Sequence, residues 1–172
     1  PQGHTYLKEF RLDPFPTFIY EAGGVEIEKR VFMVHGENTT VVEYELRSAD
    51  RNCSLELRPL IAFRDYHGTA HHNDGLNKSV DVEEGQAAVT PYQGLPTLHF
   101  AHNGGQAEAT GDWFYNFEYA REKERGLDFR EDLFNPFVLR FAGGRGVVIA
   151  STERHEAAAA TSLRLQEIER RS

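Results

Sequence analysis

The sequence predicts a mainly β domain: an antiparallel β-sandwich, of super-sandwich type, with a C-terminal α-helix. Three observations predict it. Apolar and polar residues alternate along short segments such as Val25-Glu26-Ile27-Glu28, the two-residue period of a half-buried strand. Turn signals, among them Gly23-Gly24, His35-Gly36-Glu37-Asn38 and Asn103-Gly104-Gly105, separate those segments at short intervals, as in a sandwich. Aromatic residues make up 12% of the 172 residues, with 12 Phe and 7 Tyr, and such side chains favour strands.

Taken in order, residues 4–18 read as an irregular lead-in, because Pro14 and Pro16 cannot donate to a ladder. Residues 17–21 and 25–34 are strands joined in a hairpin about Gly23-Gly24. Residues 39–47 alternate again, with Val42, Tyr44 and Leu46 on one face and Val41, Glu43 and Glu45 on the other. A polar turn at 48–52 leads to residues 55–63, which read as the fourth strand of a meander and end in Arg64-Asp65-Tyr66-His67. Residues 67–77 form a polar loop longer than a hairpin needs, and such loops tend to carry function.

Short strands follow at 78–82, 86–92, 96–102 and 106–110, then an aromatic strand at 113–119. The charged stretch 120–132, with Gly126 inside, reads as a loop or a short bent helix. Asn135-Pro136 marks a turn, and strands 137–141 and 146–151 form a hairpin around Gly143-Gly144. Residues 157–171 are Ala-rich, carry Leu163, Leu165 and Ile168, and form the one clear helix, with Ser151 or Thr152 capping its approach. The expected organisation is therefore a sandwich domain over 1–156 and a helix or linker over 157–172.

Charge and cysteine content narrow the classes of partner. With 19 Lys and Arg against 27 Asp and Glu, the net charge is -8, which disfavours a nucleic-acid backbone. No apolar run reaches membrane-spanning length, and no signal segment opens the chain. The single Cys53 forms no redox or metal motif, so a reducing, cytoplasmic setting is expected. The opening Pro1-Gln2-Gly3, without an initiator Met, is expected to be the start of a trimmed fragment.

Candidate chemistry is sparse. His67, His71 and His72 lie in a Gly-containing loop without a completing ligand set, so no metal and no cofactor is expected. His99 and His102 fall on opposite sides of a strand. Glu131 and Asp132 are adjacent and diverge, unlike the facing acids of a glycosidase. Asp65 follows Arg64, and an ion pair closing the strand end is its expected role. No catalytic residue is assigned. Carbohydrate contact suits the composition better, since Trp113, Tyr115, Tyr92 and Tyr66 supply aromatic faces while Arg64, Asp65 and His67 supply planar hydrogen-bonding groups. The competing view is that Trp113, Tyr115, Phe117 and Tyr119 alternate as one core face, and for Phe117 that view prevails.

Three motifs in sequence order carry a resemblance: residues 28–40 (Glu-Lys-Arg-Val-Phe-Met-Val-His-Gly-Glu-Asn-Thr-Thr), Arg58-Pro59-Leu60 with Arg64-Asp65-Tyr66-His67, and residues 119–132 with Glu124-Arg125-Gly126-Leu127-Asp128 and Glu131-Asp132-Leu133. Together they resemble the N-terminal domain of bacterial and archaeal type glycogen debranching enzymes. The resemblance implies a super-sandwich, a linker helix and an (α/α)6-barrel, the barrel carrying the acids that hydrolyse the α-1,6 branch linkage of glycogen. The barrel lies outside these residues. The implied whole protein is an amylo-α-1,6-glucosidase of glycogen breakdown, with 4-α-glucanotransferase as an optional second activity. Its partners are an α-glucan (glycogen or maltooligosaccharide) and the barrel.

Arg64, Asp65, Tyr66, His67, Trp113, Glu131 and Asp132 are the expected substrate-binding or barrel-facing residues. Leu163, Leu165 and Ile168 are expected to pack partly against the barrel. Two functions follow: a noncatalytic accessory domain that supports the barrel, or a self-contained α-glucan-binding or glucan-transferring module. An exposed groove shared by Tyr66, His67 and Trp113 would favour glucan contact; a buried arrangement would favour scaffolding.

Overall fold

The computed structural model describes residues 2–48 and 53–171. Its strands are β1 (Leu7–Leu12), β2 (Pro16–Ala22), β3 (Val25–Met33), β4 (Thr39–Ser48), β5 (Ser54–Leu57) and β6 (Val80–Glu83). They continue as β7 (Gln86–Val89), β8 (Leu98–His102), β9 (Gln106–Glu118), β10 (Arg130–Ala142) and β11 (Arg145–Ser151). Among the described residues, a 3-10 turn (Gly3–Tyr6) precedes β1, and two α-helices, α1 (Ala120–Glu124) and α2 (Ala159–Arg171), follow β9 and β11. An eight-stranded sheet runs β1-β2-β3-β4-β11-β8-β7-β6, and a three-stranded sheet runs β5-β10-β9.

β2, β3 and β4 form the expected meander. The Gly23-Gly24 turn has φ of 58° and 79°, the left-handed pair that a two-residue hairpin needs and glycine adopts without steric cost. β1 pairs with β2, so the segment expected to be irregular contributes an edge strand. All its side chains are exposed, which is why it shows no alternation. Residues 49–52, most of the expected third turn, lie outside the described residues.

The next strand breaks the meander. β5 pairs with β10 in the small sheet and not with β4, and beyond Leu57 the chain is irregular apart from a bridge between Ile61 and Phe134. The two strands expected at 106–110 and 113–119 are one, β9, kept continuous by bulges. Gly111 (φ 68°) and Asn116 (φ 59°) lie at the two register shifts against β10, where a bulge places one residue in the left-handed region. Asn135-Pro136 is the interior of β10, not a turn. Pro136 falls in the register shift, where it leaves no ladder bond unmade. The fully buried Asn135 side chain donates from Nδ2 to Pro59 O (2.8 Å) and Phe137 O (2.9 Å).

β10 and β11 do not form the expected hairpin. β11 inserts between β4 and β8, so Gly143-Gly144 links the two sheets. There Leu46 N donates to Gly144 O at 2.6 Å, and a Cβ on Gly144 would stand 2.9 Å from Leu46 O.

The small sheet packs on one face of the large one. Leu55, Phe134, Phe137, Leu139 and Phe141 meet Ala87, Val89, Phe100 and Val148, with the Phe100 and Phe137 rings edge-on at 5.0 Å. α2 covers the other face, where Phe15, Phe32, Val41, Ile149, Ala160 and Leu163 form a second cluster. The chain is thus the expected sandwich with a C-terminal helix. Leu163 is buried and Ile168 packs on the same cluster, so the sheet of this domain takes two residues expected to face outward. Leu165 lies on the opposite side of the helix and is 58% exposed, as a 3.6-residue period requires. Glu167 completes the docking by accepting a hydrogen bond from His35 N at 2.8 Å.

Candidate functional site

The loop after β5 begins with a sharp reversal. Phe63 takes φ 50°, a left-handed conformation that bulky residues rarely adopt, and its ring packs 6.4 Å from that of Tyr92. Arg64 then turns inward. Its guanidinium grips both carboxylate oxygens of Glu131, through Nε to Oε1 and through Nη2 to Oε2 at 3.1 Å. Arg64 bonds only the main-chain oxygen of Asp65, at 3.0 Å, so the expected Arg64–Asp65 ion pair is replaced by a partner on β10. The Asp65 carboxylate instead accepts from His67 N at 2.9 Å and shapes its own turn.

Glu131 is 1% exposed and fully engaged. Besides Arg64, it accepts from the Tyr119 hydroxyl and from Ala70 N at 3.0 Å. Burial alone would raise its carboxyl, but the hydrogen bonds from Arg64, Tyr119 and Ala70 and the Arg64 charge outweigh burial and hold it at about 2. The same hydrogen bond to Glu131 raises the Tyr119 phenol.

Asp132 points the other way along the strand and fastens the same loop. Its carboxylate accepts from Asn116 N at 3.0 Å and His72 N at 3.1 Å, bonds that hold it below the ordinary Asp range. Asp132 N donates to Ala70 O at 2.8 Å. Thr69 adds a bond to Asp128. The two adjacent acids therefore diverge, as their spacing requires, and each ties residues 64–74 to the small sheet from its own side.

The aromatic candidates separate into two patches. Trp113 is half-buried, 5.4 Å from the Phe134 ring and 4.9 Å from the His72 ring, with its buried Nε1 lacking a hydrogen-bond partner. Tyr115 lies on the outside, 54% exposed, with its hydroxyl 3.2 Å from His72 Nδ1. The expected single core face of alternating aromatics is thus broken at the Asn116 bulge. Tyr66 is 81% exposed and its ring lies against that of His67, centroids 3.8 Å apart and planes tilted by 36°.

The structure unites Arg64, Asp65, Glu131 and Asp132 with the loop backbone, reaches Trp113 through His72, and leaves Tyr66 and His67 outside on the loop. Chemically, an acid held at about 2 with its oxygens occupied is neither a proton donor nor a free base at neutral pH. Tyr119 completes the network: its hydroxyl donates to Glu131, 12 residues on, which Arg64 reaches from 67 residues away. Among the described residues, ligand-like spacing occurs at Glu37, Glu153 and His155, whose atoms lie within 4.8 Å of one another. That group is separate from His67, His71 and His72, and within it His155 Nε2 lies 3.6 Å from Glu37 Oε2. No helix among the described residues is long and apolar enough to cross a membrane.

A family model for the N-terminal region of glycogen debranching enzymes matches residues 1–148. Comparison with curated proteins gives no match.

Proposed function

The chain belongs to the glycogen debranching enzyme N-terminal family, and from that premise we propose that it is a noncatalytic accessory domain that supports the glycosidase barrel. In this reading residues 1–156 are the sandwich, and residues 157–172 lead towards the (α/α)6-barrel that carries the hydrolytic acids. The enzyme hydrolyses α-1,6 branch points during cytoplasmic glycogen breakdown, a compartment that suits the free Cys53.

The observation that carries the reading is the closed Glu131 network. Both acids of the pair are spent on holding a loop, and hydrolysis of a glycosidic bond needs two available carboxyls. The loop so fixed presents Tyr66 and His67 outward, and an exposed aromatic on a rigid base is suited to an interface. Tyr66 and His67 face the barrel or the glucan at its cleft, while Arg64, Asp65, Glu131 and Asp132 set the loop and Trp113 supports it.

Two measurements test this. Tyr66→Ala in the whole enzyme should leave folding unchanged and lower debranching turnover; unchanged turnover would refute an interface role. Titration of the domain with maltooligosaccharide by calorimetry or NMR addresses the second reading, a self-contained glucan module, which the exposed Tyr115 beside His72 favours. No saturation at millimolar glucan would remove it, and saturation with shifts at Tyr115 would overturn the purely supporting role.

A further inference from the structure

We propose that Glu37, Glu153 and His155 bind one divalent metal ion of the zinc class. The ion staples the turn after β3 to the segment that leads from β11 into α2. The site shares no residue with the Glu131 network and does not depend on the accessory role.

Two segments remote in sequence supply the ligands. After β3 the chain reverses through Gly36 (φ 79°). Val34 N donates to Thr39 O at 3.0 Å and Glu37 N to Val34 O at 3.3 Å, which sets Glu37 in the turn. Beyond β11 the chain is fastened in three places. Thr152 N donates to Asn38 O at 3.3 Å, Glu153 N to Ser151 Oγ at 2.9 Å, and Gln86 Nε2 to His155 O at 2.6 Å. The two backbones are thereby held side by side, and the ligand atoms of Glu37, Glu153 and His155 lie within 4.8 Å of one another. A site built on a fixed backbone has little left to order when a ligand arrives.

One distance separates a metal site from an ordinary ion pair. His155 Nε2 stands 3.6 Å from Glu37 Oε2. A charge-assisted hydrogen bond would close that gap to about 2.8 Å. Two ligands, each about 2.1 Å from one tetrahedral ion, stand about 3.4 Å apart, close to the spacing found. Glu37 Oε2 is moreover shielded from solvent without a hydrogen-bond partner among the described residues, an acceptor that costs stability until a donor or a cation meets it. His155 Nε2 also lies 3.3 Å from Thr39 Oγ1. The Thr39 hydroxyl has a nearer partner in Ser151 Oγ at 2.7 Å, so Nε2 can turn to an ion and leave Thr39 satisfied. Glu153 is exposed, and rotation of its side chain closes the remaining gap.

Charge and donor type select the ion. Two carboxylates balance a doubly charged cation, and Arg154, which lies between the ligands in sequence, turns away to pair with Glu83. An imidazole nitrogen disfavours Ca2+ and Mg2+, which take oxygen ligands. Zn2+ and its analogue Co2+ accept nitrogen together with carboxylate oxygen, and water fills the fourth position. The consequence is mechanical, since Glu153 and His155 stand just ahead of α2. The ion fixes the approach of that helix to the sheet from the side opposite the Glu167 bond to His35 N.

Metal titration and hydrogen exchange on the intact enzyme, stripped beforehand with a chelator, test the proposal. Zn2+ should bind with a micromolar dissociation constant and displace Co2+, whose visible spectrum reports mixed nitrogen and oxygen ligation. Amides of residues 152–158 should exchange about tenfold more slowly with Zn2+ than without it. Glu153→Gln should weaken Zn2+ binding at least about tenfold and remove that protection. Its exchange without metal should match that of the unsubstituted enzyme, because the Glu153 side chain is exposed, so misfolding is not an alternative explanation. Glu37→Gln should weaken binding in the same way. No saturable uptake at millimolar Zn2+, or uptake and protection unchanged in both variants, would overturn the proposal. So would binding that survives Glu153→Gln and is lost in His71→Ala, which would place the ion on the loop of residues 67–77.

Discussion

Glu131→Gln isolates the charge of the central acid from its shape. The amide keeps one acceptor oxygen and the volume, so the packing around it persists, but Arg64 loses its counter-ion. The carboxyl stands at about 2 in the fold against an ordinary value of 4.5, and about 1.4 kcal/mol per unit makes the ionised form worth about 3 kcal/mol to folding. Removing one partner of a buried pair costs about 3–5 kcal/mol. Arg64 retains 26% side-chain exposure, so water recovers part of that, and a loss of about 2–3 kcal/mol is expected at pH 7. With a urea slope of about 2 kcal/mol/M the midpoint falls by about 1–1.5 M.

The pH dependence sharpens the test. A carboxyl lowered by folding contributes fully above its unfolded value, and the contribution is lost as pH falls through 4.5 towards 2. About 2 kcal/mol of it should be gone at pH 3, so the gap between wild type and variant narrows from pH 7 to pH 3. An equal gap at both pH values, or a midpoint shift under about 0.3 M at pH 7, would refute the network as an electrostatic fastener.

Three further predictions come from packing. Gly144→Ala should cost about 1–3 kcal/mol in urea unfolding, because its Cβ would meet Leu46 O at 2.9 Å in a backbone contact that cannot rotate away. Phe137→Ala should cost about 3–5 kcal/mol, since the ring is 0% exposed between the two sheets; a smaller loss would mean that the core collapses around it. Leu163→Ala should cost about 2–4 kcal/mol and Leu165→Ala under about 0.5 kcal/mol, as thermal or urea unfolding of the domain would read. Equal costs would show that α2 is rotated from the position described.

Local pattern was enough for β2, β4 and α2, where burial alternates or follows one side of the helix, and for β3, whose apolar and charged residues alternate although nearly all are partly buried. The same rule failed at β1, where no side chain is buried and only backbone pairing makes the strand. Sheet membership was the larger loss. β10 and β11 are both apolar and separated by Gly143-Gly144, the signature of a hairpin, yet they lie in different layers. A tight glycine link serves a crossing between sheets as well as a reversal within one, and the residues that decide between them, Leu46 and Leu55, are remote in sequence. Bulges hid β9 in the same way: Gly111 looks like a break and acts as a kink that keeps the ladder going.

In the candidate site, neighbours in sequence are not partners in space. Adjacent Glu131 and Asp132 diverge in the fold, as residues next to each other on a strand must. Arg64 beside Asp65 invites a local ion pair, yet neighbours in an extended segment point apart, and the left-handed turn at Phe63 sends Arg64 to β10. Divergence is what makes the two acids useful. One side chain takes the buried side of the loop through Arg64 and Ala70, the other takes the outer side through His72, and neither alone fixes the loop in both directions. Loss of Asp132 should therefore loosen residues 71–74 while leaving Arg64 seated, and loss of Glu131 should release Arg64 while His72 stays bonded. Nitrogen-15 relaxation of Asp132→Ala and Glu131→Gln would separate the two. Loosening of the whole loop by either variant would show a single cooperative clasp instead.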